Sequence, residues 1–142
     1  MGPGPGVVLL DTDVWSCLFS DSRQRDPRVE RWRELLMGRA VAIATQTRAE
    51  VLAGARCAQW GERRIDTLRA QLDSSATVPP GLAVVEAYAS LTADLRNGGH
   101  ALHQAKHTGD RWIAATALAI NAELLSGDGI YLGVPGLTLL GP

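Results

Sequence analysis

Short, nearly unbroken apolar runs, each followed by a stretch with helical spacing, constrain the fold of this chain more than any other feature. "VVLLD" (7–11) and "AVAIAT" (40–45) read as strands covered on both faces, because a buried parallel strand has no polar side to alternate with. "ATV" (76–78) is a short third strand stopped by Pro79 and Pro80, and "ELLS" (123–126) and "LTLL" (137–140) complete the set. Between them lie helical patterns. A helix is expected from about Val14, and "RVERWRELLMG" (28–38) puts Val29, Trp32, Leu35 and Leu36 on one face, with Gly38 as its stop. "TRAEVLAGARCAQW" (47–60), "ERRIDTLRAQL" (62–72), "LAVVEAYASLTADLR" (82–96) and the Ala-rich "DRWIAATALAIN" (110–121) follow. Strands alternating with helices predict an α/β fold with a central parallel sheet of about four to five strands flanked by helices. The 142 residues suit one domain, expected over 7–142, with "MGPGPG" (1–6) as a flexible tail, "SDSRQRDP" (20–27) as a loop and 97–109 without an assigned path.

Charge excludes little. The net charge is −1, so bulk electrostatics does not announce a polyanionic partner. Of the 14 basic residues only Lys106 is a lysine, and most of the arginines fall in the first half of the chain. Planar guanidinium groups suit phosphate, although an Arg-rich solvated face is the plainer explanation. No apolar run approaches the ~20 residues of a membrane helix, and the first residues lack the regions of a signal peptide. Cys17 and Cys57 have no metal-ligand spacing, so two reduced thiols in the cytoplasm is the simplest expectation.

The acids supply the chemistry. In parallel sheets ligands bind beyond the carboxyl ends of the strands. Asp11 stands at such an end, Glu50 follows the second strand, Asp128 follows the fourth, and Asp110 opens the helix leading into it. Each has a plain structural explanation. Asp11 and Asp13 could cap the next helix. Thr47-Arg48-Ala49-Glu50 has the capping-box pattern. Asp110 sits in a first helical turn, and Asp128 in the turn sequence "GDG". Together, however, four carboxylates at one sheet edge would repel, and a hard divalent cation relieves that repulsion. Such a site suits water attack on a phosphodiester.

These residues resemble the PIN-domain ribonucleases, of the VapC toxin type from bacterial toxin–antitoxin pairs. The resemblance rests on "LLDTDVW", "TRAEVLAGA", "DRWIAATALA" and "LLSGDGIY", and it runs from about Val7 to Leu140. It implies a metal-dependent endoribonuclease with Asp11, Glu50, Asp110 and Asp128 as the catalytic acids and Asp11, Asp110 and Asp128 on the metal. That metal would be Mg²⁺, with Mn²⁺ as the alternative, and Thr12, Asp13 and Ser126 would have supporting roles. It also implies an RNA substrate, a cognate antitoxin seated in an apolar groove near the early helices, and a homodimer or toxin–antitoxin hetero-oligomer. Three positions depart from the pattern: Asp13 replaces Asn or Ser, Ser126 replaces Thr, and Tyr131 replaces Phe.

Other groups are weaker signals. Arg48, Arg111 and Lys106 could meet RNA phosphate, and Trp60 could stack on a base, whereas Trp15, Trp32 and Trp112 sit in apolar patterns. His100, His103 and His107 would share a face if helical and could bind zinc, but flanking glycines favour a polar loop. Two other functions compete. Strand-Asp-x-Asp also opens the haloacid-dehalogenase-like phosphatases, with Asp11 as nucleophile, but that chemistry needs a lysine and Lys106 is the only one. A non-catalytic protein-binding module would keep the fold and use the acids structurally.

Overall fold

The computed structural model describes residues 6–20 and 26–142; most of the expected tail and of the 20–27 loop lies outside them. Five parallel strands form one sheet in the order β3-β2-β1-β4-β5. They are β1 (Val7–Leu10), β2 (Ala40–Ala44), β3 (Ala76–Val78), β4 (Glu123–Leu125) and β5 (Leu139–Leu140). The helices among the described residues are α1 (Thr12–Phe19), α2 (Val29–Leu36), α3 (Thr45–Cys57), α4 (Glu62–Asp73), α5 (Leu82–Asn97) and α6 (Thr108–Ala119).

The two-residue period of the central strand sorts its side chains between two cores. Val8 and Leu10 join Val14, Trp15, Trp32, Ile43, Ile65, Leu68 and Leu72 on the side of α1–α4. Leu9 faces the other way, into Leu91, Leu95, Ile113, Ala114, Ala117 and Leu124 on the side of α5 and α6. Val8, Leu9 and Leu10 are all fully buried, as the unbroken apolar run requires. The alanines of α6 let that helix lie directly on the sheet: Ala114, Ala115 and Ala117 have no exposed surface.

The chain runs β1, β2, β3 towards one edge and then returns to place β4 on the opposite side of β1. The β1–β4 boundary is therefore a switch point, where a crevice opens past the carboxyl ends. Leu10 pairs with Leu125, and the ladder continues one step as the Asp11 N–H donates to the Leu125 carbonyl at 3.1 Å. Asp11 and Ser126 are thus brought side by side.

Several boundaries differ from expectation for identifiable reasons. β1 ends at Leu10, because Asp11 turns to cap α1. β2 passes into α3 with no loop, so that helix begins at Thr45 rather than Thr47. α6 starts at Thr108, and the unassigned stretch before it holds two 3₁₀ turns, Ala101–His103 and Ala105–His107. Only Leu139–Leu140 of "LTLL" is strand, a short protected edge.

Candidate active site

Asp11 does two jobs with two oxygens. Its Oδ1 accepts the Val14 N–H at 2.8 Å, which makes it the N-cap of α1. Its Oδ2 accepts the Ser126 hydroxyl across the sheet, and the Ser126 Oγ in turn accepts the Asp128 N–H at 3.0 Å. The carboxyl is only 5% exposed. Burial pushes its pKa from 3.8 up to about 6; the two hydrogen bonds resist that rise, and the charges of Asp13 and Asp128 add to it. Asp13 is not a cap. It is exposed in the first turn of α1 and lines, with Asp11, Asp128, Arg28, Trp32, Gly127 and Gly129, a hollow of about 260 Å³.

Glu50 reaches the same region from α3. Its Oε2 accepts the Thr12 hydroxyl at 2.6 Å, and its Oε1 accepts the Gln46 side-chain amide at 2.8 Å. Thr12 has a single proton and gives it to Glu50, so the Thr47 hydroxyl, 3.2 Å away, is the donor between the two threonines. The capping-box reading of Thr47 and Glu50 is therefore wrong: Thr47 lies inside the helix, the N-cap is Ala44, and no side chain caps it. Gly109 explains how closely α6 approaches. A Cβ there would stand 2.7 Å from the Glu50 Oε1 and 3.0 Å from the Gln46 Nε2. Its cost in helix propensity is what lets Glu50 pack against the turn carrying Asp110.

Asp110 is held from two sides. The His107 Nδ1 lies 3.1 Å from its Oδ2, and the Tyr131 hydroxyl donates to its Oδ1 at 3.3 Å. Tyr131 is buried, and burial together with the fields of Asp110, Asp11 and Asp128 pushes its phenol well up. The hydroxyl thus stays a donor among three acids. Asp128 caps the 3₁₀ turn Gly129–Tyr131, its Oδ1 accepting the Ile130 N–H at 2.9 Å.

The PIN domain family matches residues 8–136. The chain belongs to the PIN domain family. No curated protein sequence matches it. Among solved structures it is similar to VapBC2 from Rickettsia felis bound to a promoter DNA fragment, at 21% identity over 94% of this chain and 96% of that one, TM-score 0.75. FitAcB from Neisseria gonorrhoeae is 23% identical over 93% and 95% of the two chains, TM-score 0.71. VapBC-5 from Mycobacterium tuberculosis, of a family of toxin–antitoxin systems, is 22% identical over 97% and 100%, TM-score 0.65.

In this PIN domain no three His, Cys, Asp or Glu side chains among the described residues close into a ready metal cage. The carboxylates at the hollow offer only oxygen, and the most buried of them, Asp11, has its ionised form disfavoured first by burial and then by the neighbouring acids. The three histidines are dispersed instead of clustered. The His100 Nε2 meets the Leu132 carbonyl at 2.7 Å, the His103 Nδ1 meets the His100 carbonyl at 2.6 Å, and His107 serves Asp110.

The expected RNA contacts fare unevenly. Arg111 is only 6% exposed, and its guanidinium donates to the Leu102 and Gln104 carbonyls and to the Tyr88 hydroxyl. It ties the 3₁₀ turns to α6 and has no free face for phosphate. Arg48 is paired with Asp73 at 2.6 Å. Trp60 is partly buried beyond the end of α3, its backbone N–H folded back onto the Ala55 carbonyl at 3.1 Å, and the Arg64 guanidinium already lies 3.7 Å over its ring. Lys106 is exposed and precedes His107, which meets Asp110. Arg28, which no motif singles out, is the arginine that lines the acidic hollow among the described residues.

Proposed function

We propose that this PIN domain is a Mg²⁺-dependent endoribonuclease, Mn²⁺ being the alternative ion, and the VapC-type toxin of a toxin–antitoxin pair. The observation that carries the reading is the buried Asp11 carboxylate, which shares a hollow with Asp13 and Asp128, while the next residue, Thr12, donates to Glu50 and the buried Tyr131 donates to Asp110. Asp11, Asp110 and Asp128 would hold the cation, and Glu50 completes the catalytic acids. When bound, the cation supplies charge neutralisation at the scissile phosphate and a lowered pKa for attacking water.

The chain's own residues do the positioning. Ser126 and the Val14 N–H fix the two oxygens of Asp11. Thr12 and Gln46 fix those of Glu50, and His107 and Tyr131 fix those of Asp110. Every acid except Asp13 is thus oriented before substrate arrives, which lowers the reorganisation needed in the transition state. Asp13 adds charge at the rim.

The partners follow from surface shape. Leu18, Phe19, Leu36, Met37 and Val41, with Arg33 at the edge, line an apolar groove of about 310 Å³, and Met37 is 80% exposed. The groove lies on α1 and α2, and it suits the apolar face of an antitoxin helix or tail. A homodimer or a toxin–antitoxin hetero-oligomer is the expected assembly. No helix among the described residues is long and apolar enough to cross a membrane. Cys17 and Cys57 are free thiols, in keeping with a cytoplasmic protein.

The test uses purified protein, RNA and a phosphomonoester, each with Mg²⁺ and with chelator. RNA cleavage that is lost in chelator and in Asp11→Asn is the expected result. Phosphomonoester turnover would instead favour the haloacid-dehalogenase-like reading, and inactivity on both would favour a protein-binding module.

A further inference from the structure

Arg28 stands at the start of α2, after Asp26-Pro27, and its side chain is held from several directions. The Asp26 Oδ1 accepts both the Arg28 backbone N–H at 2.9 Å and its Nε at 3.0 Å, and Oδ2 accepts Nη2 at 2.7 Å. Nη1 donates to the Gly127 carbonyl at 3.2 Å, 99 residues away in sequence. The guanidinium carbon lies 4.9 Å over the ring of buried Trp32, one helical turn on. A guanidinium has five N–H groups, and among the described residues these contacts take three of them. One N–H on each Nη remains.

That position is specified by the far side of the hollow. A Cβ on Gly127 would stand 2.2 Å from Nη1, 2.9 Å from the guanidinium carbon and 3.1 Å from the Trp32 ring. Only glycine at 127 leaves room for the arginine to lie against the backbone that carries Asp128. Among the described residues lining the hollow, Arg28 is the one cation beside Asp11, Asp13 and Asp128. It is half-exposed and lines the opening. The grip of Asp26, itself held down to about 2 by these hydrogen bonds, keeps the fork in one orientation. A planar, oriented fork with two unused donors matches two oxygens of a phosphate, whereas a mere counterion to the acids would turn those donors towards a carboxylate. No Arg28 bond runs to Asp11, Asp13 or Asp128.

We propose that Arg28 is a substrate-binding residue, which grips a backbone phosphate of single-stranded RNA at the mouth of the acidic hollow, in a seat that Asp26, Trp32 and Gly127 shape for it. This rests on the ribonuclease reading and adds the residue that holds the strand against the acids. Because the contact is to phosphate, it is independent of base sequence.

The test measures binding of a labelled single-stranded RNA oligonucleotide of mixed sequence in chelator, where nothing is cut, alongside cleavage with Mg²⁺. Arg28→Ala should weaken binding about tenfold, the discounted worth of a charge-assisted contact at a half-exposed site. It should also flatten the slope of log K against log salt by about 0.7, the loss of one single-strand phosphate contact. The cleavage loss should fall on KM, with kcat changed less. Arg28→Lys should restore the salt slope but only part of the affinity. Gly127→Ala, which displaces the guanidinium without removing it, should weaken binding as Arg28→Ala does, and this keeps the proposal testable if Arg28→Ala folds poorly. If wild type cuts RNA while these variants bind within twofold of it and with its salt slope, Arg28 is a structural latch and the proposal is overturned. If wild type neither binds nor cuts RNA, the ribonuclease reading fails first and the proposal falls with it.

Discussion

Asp11 should make the folded protein less stable at neutral pH than its amide would. Its pKa rises from 3.8 to about 6 on folding, chiefly through burial. For an acid raised in the folded state, the stabilising contribution is complete below about 3.8 and disappears as pH rises through about 6. The full penalty on the ionised form is about 3 kcal/mol, and about half of it is in place at pH 5. Asp11→Asn removes that penalty and keeps a good N-cap for the Val14 N–H. It gives up the charge-assisted bond from Ser126, worth about 1 kcal/mol net. In chelator at pH 8 the variant should therefore be about 2 kcal/mol more stable than wild type, or roughly 5–8 °C in Tm. At pH 4 the order should reverse or the gap close. Thermal melts of both proteins between pH 4 and 8 read this difference directly and cancel the acids common to both. An Asp11→Asn protein that melts at or below wild type at pH 8, with a gap that does not change with pH, would refute the claim that burial strains this carboxylate.

Other consequences are quick to check. Mg²⁺ at ~100 times its dissociation constant should stabilise wild type by about 2.7 kcal/mol and leave Asp11→Asn nearly unmoved, as calorimetric melts with and without EDTA would read. Gly109→Ala puts a Cβ against the Glu50 carboxylate, so cleavage should fall at least about tenfold while Tm changes little, because alanine is the better helix former. Tyr131→Phe deletes the bond to Asp110 and should cost about 1 kcal/mol in denaturant melts, with a several-fold fall in kcat where the approach of Asp110 matters.

The fold was legible because burial writes itself into sequence pattern. A strand covered on both faces has to be apolar throughout, and residues 8–10 and 42–44 are buried in that way. The ends of elements were less legible, and the site lives at those ends. Asp11 and Asp13 are both candidate caps in the sequence; the structure makes Asp11 the cap, because the strand ends at Leu10 and the chain turns at the acid itself. The Thr47–Glu50 pattern was ambiguous for a related reason. Whether a threonine caps a helix depends on where the helix begins, and β2 runs into α3 two residues sooner than the pattern implies. Arg28 and Gly127 could not be paired in advance. They sit 99 positions apart, and nothing local to either marks it as the other's partner.

One conflict posed by the sequence turns out not to be a conflict. Capping a helix and serving a charged site looked like rival uses for the acid after β1, since a carboxylate spent on backbone N–H groups is a poor ligand. The geometry divides the labour by oxygen atom: Oδ1 is committed to Val14, and Oδ2 faces Ser126 across the switch point. The same division recurs at Asp128, whose Oδ1 caps a 3₁₀ turn and whose Oδ2 makes no hydrogen bond to a described residue. Capping thus orients each acid through one oxygen and leaves the other to a different partner, Ser126 at Asp11, or to no described residue, as at Asp128. In a sheet whose strands end where helices begin, an acid at the carboxyl edge can thus cap the next turn through one oxygen while the second stays out of the cap. It follows that the isosteric amides, which keep the caps, should separate the two roles, whereas alanine at either position should lose both together.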